Sequence, residues 1–431
     1  MKIKNVFDSI FSMENLQAAL EDACRGRRYK KDALIYTLNS YELLSEIREE
    51  IYSGNYAIER YFIFYVYEPK KRMIMSIGFK HRIVQWAIYR IINPMLINGY
   101  ISDSYGCIPG RGSLSAMKKV RYWLALTDHL GGTWYYLKLD ISKYFYRVSH
   151  RILIEILEKK IKDKRLMELL ISVIECEHTP FGLPEGKSPG EVPLEERLYD
   201  VGMPIGNLLS QVFANVYLDV LDQFCKRTLG IKFYIRYVDD VAIFSDSKAD
   251  LHRWKIEIER FLREKLELHL NKKTCIRPVS HGMEFVGYRI WRHKVTVRKS
   301  TSLRIKRALK GIRHRYSKGE VSMQESIDSM QCYVGMLGHC DCEAFKESII
   351  DSFVLIRNHE DQGKKMLGTE DVLKLIEVMK NLMEIIDKLY MVLAQHVSYD
   401  DLEKSGINND IRKVAIDAKK YGIEPGDIHK E

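Results

Sequence analysis

The residues best suited to chemistry are three carboxylates far apart in the chain. Asp140 ends the mostly apolar run WYYLKLDI, and Asp239 and Asp240 lie between KFYIRY and VAIFS. An Asp-Asp pair alone is a weak signal, since most such pairs are solvated turn residues. The context gives it weight. If the strand ending near Asp140 neighbours the hairpin that carries Asp239 and Asp240, the acids converge, and clustered carboxylates repel one another until a cation sits among them. Magnesium suits that place because it prefers octahedral oxygen ligands and takes one or two protein carboxylates plus substrate phosphate oxygens. Mn2+ is the expected substitute. Two such ions about 4 Å apart activate a hydroxyl and stabilise the leaving group of an in-line displacement at phosphorus. Adjacent residues of an extended chain point to opposite sides, so Asp239 is the stronger ligand expectation. Asp240 then either lies nearer the attacking hydroxyl or holds the turn.

Bringing these acids together requires a sheet. WYYLKLDI reads as one short strand, and KFYIRY and VAIFS as a hairpin about a tight turn. SQVFANVYLDVLDQF (210–224), with apolar residues spaced by three and four, reads as a helix packed on that sheet. Residues 60–80 suggest two strands about a turn containing Pro69, with Lys70, Lys71 and Arg72 near its tip. Helices are expected at 81–97, 150–175 and 248–267, and SYGCIPGRGS (104–113) reads as a loop entering another helix. Residues 177–201 hold Pro180, Pro184, Pro189 and Pro193, the signature of a surface loop. EFVGYRIW and KVTVR read as further strands. Residues 1–55 suggest amphipathic helices interrupted by a basic stretch, Arg25 to Lys31, which is either a solvated face or a nucleic-acid contact.

A length of 431 residues suggests two or three packed units. Hydrophobic residues at 46% and aromatics at 11% exclude a disordered or collagen-like chain. The net charge of +10 favours an anionic partner. Between Arg298 and Gly319 there are nine Lys/Arg and no acid on a segment of helical periodicity, so a phosphate backbone or an acidic surface should lie beside it. No apolar run approaches the roughly 18 to 20 residues that span a bilayer, and acids near the N-terminus oppose a signal peptide. The expectation is therefore a cytoplasmic protein with no membrane partner. Eight scattered cysteines suit reduced thiols. In the tail, Leu375, Val378, Leu382, Ile385, Leu389 and Val392 share one helical face, for core or partner contact.

Taken in order, EPKKRMI, SYGCIPGRG, LKLDISKYF, GMPIGNLLSQVFAN, YVDD, LNKKT and EFVGY, spanning residues 68–288, resemble a reverse transcriptase. The resemblance implies an α+β, right-hand polymerase: fingers and palm (an antiparallel sheet plus helices) over 1–296, a helical thumb over 297–356 and a helical C-terminal extension over 357–431. It implies template RNA, nascent cDNA and dNTPs as partners. Asp140, Ile141, Asp239 and Asp240 match the set that binds two Mg2+, and Lys273 matches a lysine that protonates departing pyrophosphate. Lys71 and Arg72 match residues that hold the triphosphate, a task for an ammonium and a bidentate guanidinium. Phe145 matches the aromatic gate that excludes a 2′-hydroxyl by contact, and Gly206 and Gln211 fall in the same nucleotide pocket. Phe285, Gly287 and Tyr288 resemble the turn that presses on the primer end. Arg304, Arg307 and Lys310 are the thumb residues expected along the template and primer backbone, where affinity falls with salt.

Ile205-Gly206-Asn207-Leu208-Leu209-Ser210-Gln211 resembles the reverse transcriptases of diversity-generating retroelements, which copy a template RNA with frequent errors at adenines and work with a small basic helical accessory protein. Most relatives have glutamine where Ile205 stands, and an apolar side chain cannot make that amide's hydrogen bonds. Two departures stand out. Ile108 replaces a basic residue in the SYG loop, which leaves Arg111 or the backbone for template contact, and Tyr146 stands where an acid often follows the gate. The alternative within the family is a phage-defence reverse transcriptase using a noncoding RNA. Beyond the family the alternatives are an RNA-dependent RNA polymerase, opposed by the aromatic at 145, and a catalytically silent RNA-binding module, opposed by the intact acids.

Overall fold

The computed structural model describes residues 2–58, 60–67, 72–176 and 178–357. Two compact units are distinguished. One comprises Met1–His314 with Val321–Leu355, and the other Arg315–Glu320 with Ile356–Glu431. The apolar stripe from Leu375 to Val392 and nearly all of the expected C-terminal extension lie outside the described residues.

In the larger unit, strands β1 (Phe62–Val66) and β2 (Arg72–Ser76) form an antiparallel ribbon. Its connecting turn, with Pro69, Lys70 and Lys71, lies outside the described residues. The central sheet is built from β3 (Ser104–Tyr105), β4 (Tyr135–Asp140), β5 (Phe233–Tyr237), β6 (Asp240–Ser245) and β7 (Cys275–Pro278) in the order β3-β5-β6-β4-β7. Only the β3–β5 pair is parallel. A separate antiparallel sheet contains β8 (Met283–Phe285), β9 (Tyr288–Ile290) and β10 (Val295–Val297).

The central strands are mostly apolar because both faces are covered. Alternate residues point to opposite sides, so Leu137, Leu139, Val241 and Ile243 enter one core together with helices Phe79–Ile97 and Leu208–Gln223. Tyr136, Ala242, Phe244 and Ile235 enter a second core, against helix Ser113–Leu130 and strands β8 to β10. Among the described residues no helix is long and apolar enough to cross a membrane. All eight cysteines are free thiols.

Three expectations need correction. EFVGYRIW, expected as one strand, is split between β8 and β9, because Val286 and Gly287 take positive φ and reverse the chain. The single helix over 150–175 is two, His150–Lys160 and Lys164–Ile174. Asp163 breaks it: its carboxylate accepts Leu166 N–H at 3.2 Å as an N-cap and also takes Val6 N–H at 2.7 Å and Phe7 N–H at 2.9 Å from the start of the chain. The segment 177–201 is more than a surface loop. Its prolines limit its described residues to one short 3-10 turn, Leu194–Glu196, yet Phe181, Leu183, Val192 and Arg197 are buried.

The central sheet buries a charged residue that its pattern does not announce. Arg236, in the middle of β5, is fully buried, and its guanidinium pairs with the equally buried Asp222 on helix Leu208–Gln223 through Nε at 2.8 Å and Nη2 at 2.7 Å. Tyr234 donates its hydroxyl to the same carboxylate at 2.6 Å. Removing one member strands the other charge in a dry interior, which typically costs about 3–5 kcal/mol. Arg236→Met should therefore lower the urea midpoint by a corresponding amount, and the Arg236→Met/Asp222→Leu double variant should recover part of the loss. An Arg236→Met midpoint equal to that of the wild type would contradict the assignment.

Candidate active site

The acids are brought together by strand register. Asp140 at the end of β4 is the cross-strand partner of Asp240 at the start of β6, and Tyr237 at the end of β5 also pairs with Asp240. Val238 and Asp239 are thus the two residues of the turn. Val238 has φ +53°, a left-handed conformation that a β-branched side chain rarely adopts. It is held there from three directions. Its N–H donates to Tyr105 O at 3.1 Å, its carbonyl accepts from Arg236 Nη1 at 2.9 Å, and Gly106 leaves the space its side chain occupies. A Cβ on Gly106 would fall 2.6 Å from Val238 Cγ2.

Arg236 does more than pair with Asp222. Its Nη1 also donates to Asn215 Oδ1 at 3.0 Å and its Nη2 to Ser104 Oγ at 2.8 Å, so all five of its N–H groups are used. Asn215 Nδ2 donates in turn to Gly106 O at 3.0 Å. SYG, the asparagine that ends GMPIGNLLSQVFAN, and YVDD are therefore one hydrogen-bonded assembly under the acidic turn.

Asp140, Asp239, Asp240, Arg72 and Lys273 all line one open cleft of about 840 Å³. Burial, and next the Asp240 and Asp140 carboxylates, push the Asp239 carboxyl up to about 6, against the opposing pull of a backbone N–H and of Arg72. The remaining walls are basic, with Lys138, Arg277, Arg289 and Arg298. Lys138 reaches Asp240 Oδ1 at 3.3 Å.

The other expected residues sit around this cleft or away from it. Ile141 is buried and bridges to Leu270. Phe145 is half-buried, with its carbonyl accepting Met203 N–H at 2.7 Å. Ile205 O accepts Met75 N–H at 3.1 Å, which ties the ribbon to this segment. Gly206, at φ +111°, lies so close to the ribbon that a Cβ would be 2.9 Å from Ile74 Cγ2. Gln211 is half-buried. Phe285 and Tyr288 are buried core residues flanking the turn Val286-Gly287, so their rings are not exposed for contact. Arg111 is turned inward, donating Nη1 to Ile101 O at 2.9 Å. Helix Lys299–Ser317 buries Thr301, Ile305 and Leu309, leaving Arg304 half-buried and Arg307 and Lys310 exposed. Lys71 lies outside the described residues.

Sequence reasoning missed Arg236, Asn215, Asp222 and Lys138. A signal existed for the first three, since each is a polar residue at a position where strand or helix periodicity demands an apolar one. For Lys138 the signal was its place two residues before Asp140, on the same strand face.

Residues 68–290 match the profile of the family described as Reverse transcriptase (RNA-dependent DNA polymerase). Protein YkfC of Escherichia coli (strain K12) is 28% identical over 291 residues, covering 58% of this chain and 72% of YkfC. The group II intron-encoded protein LtrA of Lactococcus lactis subsp. cremoris is 22% identical over 343 residues, 63% of this chain and 53% of LtrA. A solved apo telomerase from Candida tropicalis superposes with TM-score 0.41 at 16% identity, over 56% of this chain and 55% of that one. The chain thus spans about half the length of LtrA and of the telomerase. Because the matched segment exceeds half of the 431 residues and holds all three cleft carboxylates, the chain belongs to the reverse transcriptase (RNA-dependent DNA polymerase) family.

Proposed function

We propose that this chain copies an RNA template into cDNA, adding dNTPs to a primer at the cleft formed by Asp140, Asp239 and Asp240. The observation that carries the reading is the convergence of these three carboxylates with Arg72 and Lys273 on one open cleft whose other charged residues are mostly basic. In this reading the central sheet and its helices are the palm, the β1–β2 ribbon belongs to the fingers, and helix Lys299–Ser317 opens the thumb.

The donor set fits a hard divalent cation. It consists of carboxylate oxygens, and a cation would offset both the burial and the neighbouring Asp240 and Asp140 charges that raise Asp239. Among the described residues no group of three acids, histidines or cysteines stands close enough to enclose an ion alone. Phosphate oxygens of a nucleotide would complete such a shell, as is usual for Mg2+. When bound, the ions would activate the primer hydroxyl and neutralise charge on the leaving pyrophosphate. Arg72 holds the triphosphate, Lys273 delivers a proton to the leaving group, and the Phe145 ring excludes a ribose 2′-hydroxyl.

The finer reading is the error-prone enzyme of a diversity-generating retroelement, served by a small basic helical accessory protein. Its support is Ile205. The backbone of this residue secures the ribbon at Met75 while its side chain contributes no polar group beside the nucleotide pocket. Looser nucleotide positioning would let mispairs opposite adenine be extended.

Asp239→Asn should reduce cDNA synthesis on an RNA template with a DNA primer by about a thousandfold, the scale of losing a principal electrostatic group. Activity equal to the wild type would overturn the polymerase reading. The same variant tests the electrostatics. The folded carboxyl holds its proton up to about 6 against 3.8 for an ordinary one, so its ionisation costs stability that grows as pH rises between those values and is complete above them. Without metal, Asp239→Asn should gain about 1 kcal/mol more stability over the wild type at pH 8 than at pH 5. An equal difference at both pH values would contradict the shift. Ile205→Gln should lower the adenine-specific error rate of sequenced cDNA, and an unchanged rate would remove the retroelement reading.

A further inference from the structure

We propose that Lys138 is a positioning residue that links the carboxylate of Asp240 to the turn between β8 and β9. The inference rests on the reading of the cleft as a metal-dependent polymerase site. Lys138 stands two residues before Asp140 and therefore projects from the same face of β4. Its ammonium lies 3.3 Å from Asp240 Oδ1 and donates to Glu284 O at 3.0 Å. Glu284 immediately precedes Phe285, which pairs with Tyr288 across the Val286-Gly287 turn.

One side chain thus touches both parts that must agree for a primer end to meet a nucleotide. Tyr136, two residues earlier on the same face, reaches Gly282 O at 3.5 Å, so the two side chains meet alternate carbonyls, one just before β8 and one within it. Tyr136 is buried among apolar neighbours. Lys138 alone of the two also meets an acid. Arg72, Arg277, Arg289, Asp140, Asp239 and Glu284 share the cleft with it.

The chemistry gives Lys138 two effects of opposite sign. An ammonium against Asp240 competes with a divalent cation for that carboxylate, so it weakens metal affinity in the bare protein. The bond to Glu284 O holds the turn in register with β4, so it favours productive placement of the primer end. A residue that merely stabilised the fold would raise metal binding and turnover together.

The test uses the full chain with an RNA template annealed to a DNA primer. Mn2+ binding to the protein alone is read from the free-ion EPR signal, and single-turnover incorporation and primer–template affinity are measured beside it. Lys138→Met should bind Mn2+ about tenfold more tightly yet incorporate about tenfold more slowly, the scale of one charge-assisted hydrogen bond. Its KM for dNTP and its primer–template Kd should be unchanged. Lys138→Arg, which keeps charge and donor, should return both readouts toward the wild type. Lys138→Met matching the wild type in both, or losing metal affinity and turnover together, overturns the role of Lys138 while leaving the polymerase reading intact. A wild-type chain that neither binds Mn2+ nor extends the primer overturns the underlying reading and this proposal with it.

Discussion

A guanidinium with no access to water must find a partner for every N–H it carries, and Arg236 does so by reaching four residues, two on helix Leu208–Gln223, one at β3 and one in its own following turn. Asp222 supplies the countercharge, while Asn215, Ser104 and the carbonyl of Val238 take the remaining donors. Such an arrangement is costly when incomplete, because an unpaired buried donor forfeits its hydration without return. The penalty makes the geometry stiff. The turn carrying Asp239 can keep Val238 in a left-handed conformation because Arg236, Tyr105 and Gly106 all depend on its being there.

Above that buried assembly the chemistry is the reverse, with charges deliberately left near water. Asp140 and Asp240 face each other across a register pair, Asp239 is pressed beside them, and the opposing walls carry Arg72, Lys138, Arg277 and Arg289. A cleft of this kind repels itself at the floor and attracts polyanions at the rim. Both tendencies are satisfied at once by a phosphate chain with its accompanying cations. The rigid floor and the charged cleft are therefore complementary, since electrostatic stabilisation acts only on what is held in place.

Much of this was legible from local pattern. The alternation in KFYIRY and VAIFS, the three-and-four spacing over 210–224 and the basic helix after Arg298 all reappear as elements, because each is set by which side chains a strand or helix can bury. The ordered motifs pointed to the family now matched over residues 68–290. Other features resisted such reading. The proline-rich segment 177–201 looks solvent-borne by composition, yet Phe181 and Leu183 are core, because burial follows from what the fold places above a residue and not from its neighbours in sequence. Asp163 ends a helix that periodicity would continue, because its carboxylate is claimed by two N–H groups from the start of the chain.

What the sequence determined by itself was the identity and order of the candidate site residues: acids at 140, 239 and 240, an aromatic at 145 and isoleucine at 205. Tertiary structure alone decided that Asp140 is level with Asp240, that Arg236 is buried with a complete set of acceptors, and that Lys138 reaches both Asp240 and Glu284. The physical reason is range. Periodicity and turn chemistry are settled within a few residues, whereas register and depth of burial arise from contacts between elements well apart in the chain, a hundred positions for Asp140 and Asp240, which no local window contains.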